Sequence, residues 1–295
     1  MKNTKLYILS FFFCVNVFIW YGVFVEERNF VTVAFLDVGQ GDAIFIESLD
    51  GKQILIDGGA NSQVLQQLAK VMPFYDRSID MVILTHPDQD HIGGLPAVLE
   101  SYTVDFVMES GVGSDNGTYE EFENIIQKKQ IQKITAQQGQ KIFLCNLREV
   151  RLPEEPHGCE SYLEVLFPVG DLDISEFEPN TASVVLKLTH GENSFLFTGD
   201  SPRSIEKYLV ESLGDYIDVD VLKLGHHGSK TSTSDLFLGF TSPEYTIASV
   251  GENNSYGHPH QEILDLLRQF EIPLLRTDKE GTIIFKSDGR SLLLE

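Results

Sequence analysis

The stretch His86-Pro87-Asp88-Gln89-Asp90-His91-Ile92-Gly93-Gly94 puts two imidazoles and two carboxylates within six positions, directly after the apolar run Met81-Val82-Ile83-Leu84. Imidazole nitrogen and carboxylate oxygen together suit a divalent first-row ion such as zinc, manganese or iron. The end of a strand is also where an α/β fold exposes side chains at a crevice. A polar turn opening a helix at Gly93-Gly94 is the plain alternative, but turn chemistry alone does not gather four Asp and His so closely. The stretch therefore reads as a metal-binding loop.

Upstream of it, 31–36, 43–48 and 53–56 are short apolar or alternating runs broken by Gly-Asp and Asp-Gly signals, so they read as adjacent strands, and 62–72 reads as a helix. Downstream, the pattern predicts helices from about 95, over 119–130, 202–211 and 261–270. Further strands are expected at 104–108, 131–134, 141–144, 147–152, 163–167, 183–188, 194–197, 218–224, 245–249, 281–286 and 290–294. With no repeat or low-complexity linker, 28–295 is read as one globular domain.

Two further polar clusters and a lone carboxylate fall at ends of predicted strands. Asp200 follows Phe195-Leu196-Phe197-Thr198-Gly199, where a carboxylate can bridge two ions; Asp200-Ser201-Pro202 fits a helix start equally well. His226-His227-Gly228-Ser229 follows the strand 218–224, and His258 and His260 lie in Asn254-Ser255-Tyr256-Gly257-His258-Pro259-His260. Six of the eight histidines thus occupy three tight clusters, which scattered surface histidines do not explain.

His86-x-Asp88-x-Asp90-His91, Thr198-Gly199-Asp200 and the His226-His227-Gly228-Ser229 loop together resemble the metallo-β-lactamase superfamily. Leu36-Asp37-Val38-Gly39-Gln40-Gly41-Asp42-Ala43, Asn180-x-x-Ser183 and Tyr256-Gly257-His258-Pro259-His260 resemble its branch found as the soluble hydrolase domain of the DNA-uptake channel protein ComEC. The resemblance implies a four-layer αββα sandwich and one or two divalent ions, zinc or manganese. It places one ion on His86 and Asp88 and the other on Asp90, His91 and His226, with Asp200 bridging. Asp88 stands where the superfamily loop usually has histidine, which moves the first site towards oxygen-preferring ions. Asp90, His227 and His258 are the implied catalytic residues, His227 or His258 protonating a leaving oxygen or holding a phosphate. Asp37, Gln40, Asp42, Asp57, Asn180, Ser183, Ser229, Lys230 and Tyr256 are implied to support the ligands or meet the substrate, with Asp57 orienting a ligand histidine and Tyr256 closing the pocket.

Charge limits the partners. The 44 acidic against 22 basic residues leave a formal net charge of −22, which repels phosphate backbones and argues against a non-specific nucleic-acid coat protein. The run 152–186 carries eight carboxylates and no Lys or Arg, as a solvated face does.

At the N-terminus, 7–25 is an uncharged stretch of nineteen residues between Lys2 and Lys5 on one side and Glu26-Glu27 on the other. As a helix it would rise about 28 Å, enough for one transmembrane helix, and the flanking charges would leave everything after 26 outside the cytoplasm. A cleaved signal segment over 1–27 is the rival, weakened by the lack of small residues near 23–27. Cys145 and Cys159 stand either as a disulfide or as two free thiols.

The expected protein is a membrane-anchored, extracytoplasmic, metal-dependent phosphodiesterase or nuclease whose partners are DNA, the membrane and an uptake channel. A hydrolase of a small phosphodiester, ester or amide, and a non-catalytic metal-stabilised accessory of an uptake complex, are the alternatives.

Overall fold

The computed structural model describes residues 7–18, 29–145, 159, 161–170 and 177–295. Among them the strands of the first half are β1 (Val31–Phe35), β2 (Ile44–Glu47), β3 (Gln53–Ile56), β4 (Ser78–Leu84), β5 (Thr103–Glu109) and β6 (Gln132–Thr135). The rest are β7 (Lys141–Phe143), β8 (Ser161–Phe167), β9 (Val185–His190), β10 (Asn193–Phe197), β11 (Val221–Lys223), β12 (Tyr245–Ala248), β13 (Leu274–Arg276), β14 (Ile283–Ser287) and β15 (Leu292–Leu294). They form two sheets, ordered β15-β14-β1-β2-β3-β4-β5-β6 and β13-β12-β11-β10-β9-β8-β7.

The helices are α1 (7–18), α2 (Gln63–Val71), α3 (Gln89–Ile92), α4 (Leu95–Ser101), α5 (Gly117–Lys129), α6 (Arg203–Leu213), α7 (Asp235–Thr241), α8 (Gln261–Gln269) and α9 (Thr277–Glu280). Between the sheets lies one apolar core, with Val33, Phe35, Ile46, Ile83, Phe195, Phe197 and Phe285 in it. A second core joins the outer face of the first sheet to α2, α4 and α5 through Leu68, Val98 and Phe122. A third joins the other sheet to α6, α7 and α8 through Leu209, Phe237 and Ile263. These layers make the αββα sandwich. Strands covered on both faces must be apolar throughout, which is why β3 and the end of β4 read as unbroken hydrophobic runs instead of alternating ones.

Direction positions the site. β1, β3, β4, β5 and β6 run the same way, since β1 and β3 flank the antiparallel β2 and the later pairs are parallel. In the second sheet β10 to β13 are likewise parallel. The loops leaving β1, β3, β4, β10, β11 and β12 carry Asp37 to Asp42, Asp57, His86 to His91, Asp200, His226-His227 and His258 to His260, while Asn180 and Ser183 lie just before β9.

Three expectations need comment. No helix among the described residues is long and apolar enough to cross a membrane. Over 7–18 the chain is helical, but twelve residues rise only about 18 Å; 19–28 lies outside the described residues. The strand expected at 147–152 also lies outside them. Cys145 and Cys159 form a disulfide, with Cα atoms 5.9 Å apart, between the end of β7 and the start of β8.

That bridge closes a loop of sequence separation 14, and in the chain-entropy picture such a link stabilises by about 3 kcal/mol. Cys145→Ser is expected to lower the unfolding free energy by about 2–3 kcal/mol in urea denaturation. An unchanged midpoint under oxidising conditions would show that the pair does not constrain the chain.

Candidate metal centre

Thr85 and His86 leave β4 and enter the one-turn helix α3, whose inner face carries His91. Both rings are fully buried and lie 4.1 Å apart. Asp57, at the end of β3, accepts hydrogen bonds from the Thr85 backbone N–H (2.8 Å) and hydroxyl (2.7 Å). Its Oδ2 also takes His91 Nδ1 at 2.8 Å, which turns His91 Nε2 to within 3.3 Å of Asp200 Oδ1. Burial opposes protonation of His91, but Asp200 and Asp57 outweigh it and hold the ring well above the usual imidazole range. A cation and a proton therefore compete for the same Nε2.

Asp200 is the centre of the cluster and is only 2% exposed. Gly199, at φ +51°, brings it in; a Cβ there would come 3.1 Å from Ser183 Cβ. The Asp200 backbone N–H donates to Ser183 Oγ at 3.2 Å, and the same hydroxyl lies 3.3 Å from His86 Nδ1. Pro202, without any side-chain cap, starts α6, so the Asp200 carboxylate is not used as a helix cap. Its oxygens face different groups. Oδ1 looks at His91 Nε2 (3.3 Å) and His227 Nε2 (3.7 Å). Oδ2 looks at His226 Nε2 (3.6 Å) and His86 Nε2 (3.8 Å), and Asp88 Oδ2 stands 3.7 Å from that same His86 nitrogen. Burial would raise the Asp200 carboxyl, but His227 and His91 draw it well below the ordinary range.

His226 and His227 both adopt left-handed backbone, φ 48° and 57°. Each such residue costs roughly 1–2 kcal/mol, and the pair directs consecutive rings to different sides of Asp200. His227, fully buried, sets Nε2 3.3 Å from Asp90 Oδ2 and Nδ1 3.2 Å from Asp42 Oδ1. Asp42 in turn pairs with the fully buried Lys223 at 2.6 Å. The structure thus groups His227, not His226, with Asp90 and His91, and leaves His226 facing the same Asp200 oxygen as His86. Strand-end reasoning could not separate two adjacent histidines whose backbone is left-handed. Lys223 was missed, although a lone charge inside Val221-Leu222-Lys223-Leu224 was the available signal. Thr85 was missed too, and nothing in its local sequence marks it.

The remaining candidates surround this cluster. Asp37 Oδ1 accepts from Gly39 N at 3.3 Å and Gln40 Oε1 from Gly251 N at 3.3 Å, so both brace loops. Gly41 is pressed against the metal loop, since a Cβ there would sit 2.0 Å from Asp90 O. Asn180 Nδ2 lies 3.5 Å from His226 Nδ1. Ser229 Oγ accepts from Thr231 Oγ1 at 2.9 Å, and the Lys230 backbone N–H donates to His260 Nδ1 at 3.0 Å. The His258 ring lies 5.5 Å from that of His226, and burial and the neighbouring His227 push its pKa down to about 4. Tyr256 lies outermost, stacked on His258 at 5.6 Å. Glu206 of α6 accepts from the backbone N–H groups of Thr233 and Ser234, which fixes the segment following this loop.

The donor set fits divalent cations. His86 Nε2, His91 Nε2, Asp200 Oδ1 and His227 Nε2 are buried with no hydrogen-bond partner. Ligand atoms around a tetrahedral ion at about 2.1 Å stand roughly 3.4 Å apart, close to the separations here. His86, His91 and Asp200 make one triad of converging ligand atoms, and Asp90, His91 and His227 make another.

ComE operon protein 3 of Bacillus subtilis (strain 168) is 30% identical over 276 residues, covering 88% of this chain and 33% of that protein. Competence protein ComA of Neisseria gonorrhoeae is 29% identical over 280 residues, covering 91% and 34%. The chain spans about a third of the length of these curated relatives. Among solved structures, Igni18, a metallo hydrolase from Ignicoccus hospitalis, superposes with a TM-score of 0.52 at 16% identity, covering 86% of this chain and 98% of that one, a likeness of fold. Residues 36–252 match the family description "Metallo-beta-lactamase superfamily", and to that superfamily the chain belongs.

Proposed function

We propose that this superfamily member is a metal-dependent phosphodiesterase that cuts DNA strands in connection with DNA uptake. The observation that carries a two-ion hydrolytic centre is Asp200, whose two oxygens face separate sets of ligand atoms at one buried point. In this reading His86, Asp88 and His226 hold one ion and Asp90, His91 and His227 hold the other. Divalent ions there acidify water and neutralise the charge that builds on a substrate oxygen under attack. Zinc or manganese would suit the mixed nitrogen and oxygen donors.

The chain's own groups supply orientation. Asp57 fixes His91 through Nδ1, and Asp42, backed by Lys223, does the same for His227. With both His227 nitrogens turned to carboxylates, the contact to a substrate oxygen falls to His258, whose neutral ring donates one hydrogen bond without adding charge. Support for DNA comes from the relative named a competence protein and from the motifs shared with the uptake-channel branch. The net charge of −22 favours the second reading, a small phosphodiester.

The domain 28–295 would work outside the cytoplasm, held to the membrane through 7–25. What supports that is α1, on which Tyr7, Ile8, Leu9, Phe11, Phe12, Phe13, Val17 and Phe18 are exposed, since so many exposed apolar side chains call for lipid or protein cover. An uptake channel is the proposed partner in the membrane.

Three outcomes are expected. Asp90→Ala should abolish cleavage of single-stranded DNA and of a generic phosphodiester in Mn²⁺ or Zn²⁺, with the circular dichroism unchanged and less metal bound. Retained activity with full metal content would remove Asp90 from the centre, and a wild type that cuts only the small diester would select the second reading. Asp57→Asn should weaken metal affinity about 10–100-fold while the rate recovers at saturating metal; a rate that stays low at full occupancy would assign Asp57 a different part. An alkaline-phosphatase fusion after Glu295 should be active in cells, and activity only of a cytoplasmic reporter would place the hydrolase inside.

A further inference from the structure

Tyr256 is 64% exposed although its ring lies parallel, within 22°, to that of His258. At a centroid separation of 5.6 Å the two rings are offset, and a tyrosine this exposed presents an open face to solvent. His258 beneath it is buried, and its ring is 5.5 Å from that of His226 and 6.2 Å from that of His227. His226 faces Asp200, His258 neighbours His226, and Tyr256 neighbours His258 at the surface, so the three rings link the centre to solvent.

The step is rigidly held. Asn254 accepts from the His258 backbone N–H at 2.9 Å and donates to the His258 carbonyl at 2.8 Å. Its amide also donates to Gly251 O at 3.2 Å, and Gly251 N is held by Gln40. On the other flank His260, 4.8 Å from His258, accepts from the Lys230 backbone, which brings that cationic residue to the same shelf. A preorganised, half-covered aromatic face loses little entropy when a flat ring settles on it.

We propose that Tyr256 is a stacking platform for a nucleobase of a single-stranded nucleic acid whose phosphodiester lies at the metal centre. The assignment rests on the phosphodiesterase reading and names its substrate class. Stacking suits this chain because it needs no positive charge, and a net charge of −22 gives phosphates little else to bind. It also selects single strands, because duplex DNA hides its base faces, and it tolerates any base.

The test measures the full chain, wild type, Tyr256→Ala and Tyr256→Phe, against three labelled strands of equal length: a single-stranded oligonucleotide, its abasic counterpart and a duplex. Binding is read by initial fluorescence anisotropy and cleavage on gels, with bound metal determined for each protein. Tyr256→Ala should weaken binding of the base-bearing single strand about 5- to 100-fold. Tyr256→Phe should restore it to within about twofold, and the abasic strand should bind all three proteins alike at unchanged metal content. Equal loss on abasic and base-bearing strands, no loss at all, or a wild type that does not prefer the base-bearing strand would overturn the assignment. A wild type that binds through Tyr256 without cutting would overturn the phosphodiesterase reading alone.

Discussion

Three carboxylates, Asp42, Asp57 and Asp200, and three imidazoles, His86, His91 and His227, are packed almost without solvent contact at one edge of the sandwich. Removing charges from water costs several kcal/mol each unless they are paired. Only Asp42 has a full cationic partner among the described residues, Lys223. The others balance one another by sharing protons, or by sharing a cation that the unpaired ligand atoms can reach. Much of the local backbone serves this crowding. Asp57, His226 and His227 all occupy the left-handed region, which none of these residues favours, and Gly41 and Gly199 let neighbouring loops close in.

Much of this was legible because burial on two faces leaves a strong imprint. β1 to β4 and β10 to β12 read as apolar runs since helices cover one face of each sheet and the other sheet covers the second, and the polar clusters stood out at their ends. What was illegible depends on orientation. His226 and His227 differ in role by the turn of a peptide. The short α7, marked by Ser234 and Asp235, and the strand β13 carried too few residues to show a period. Over 7–25 hydropathy predicts a span, whereas the helix described there covers 7–18.

The two sheets contribute unequally to the centre. The first brings a pre-positioned pair of rings, His86 and His91, on a segment anchored by Asp57. The second brings Asp200 and the strained histidines, which meet that pair only when the sheets are packed together. Ligand assembly and closure of the inter-sheet core are thus the same event, so a cation bound there acts as a tie between the halves.

The polarity of β1 has a spatial consequence. Its first residue, Val31, lies at the end of the strand opposite the loop that carries Asp42, about 13 Å from Phe35 along the strand. A segment joining the sandwich at residue 31 therefore enters at the end of β1 away from the loops that carry the ligands, so whatever it attaches to need not crowd the mouth of the centre.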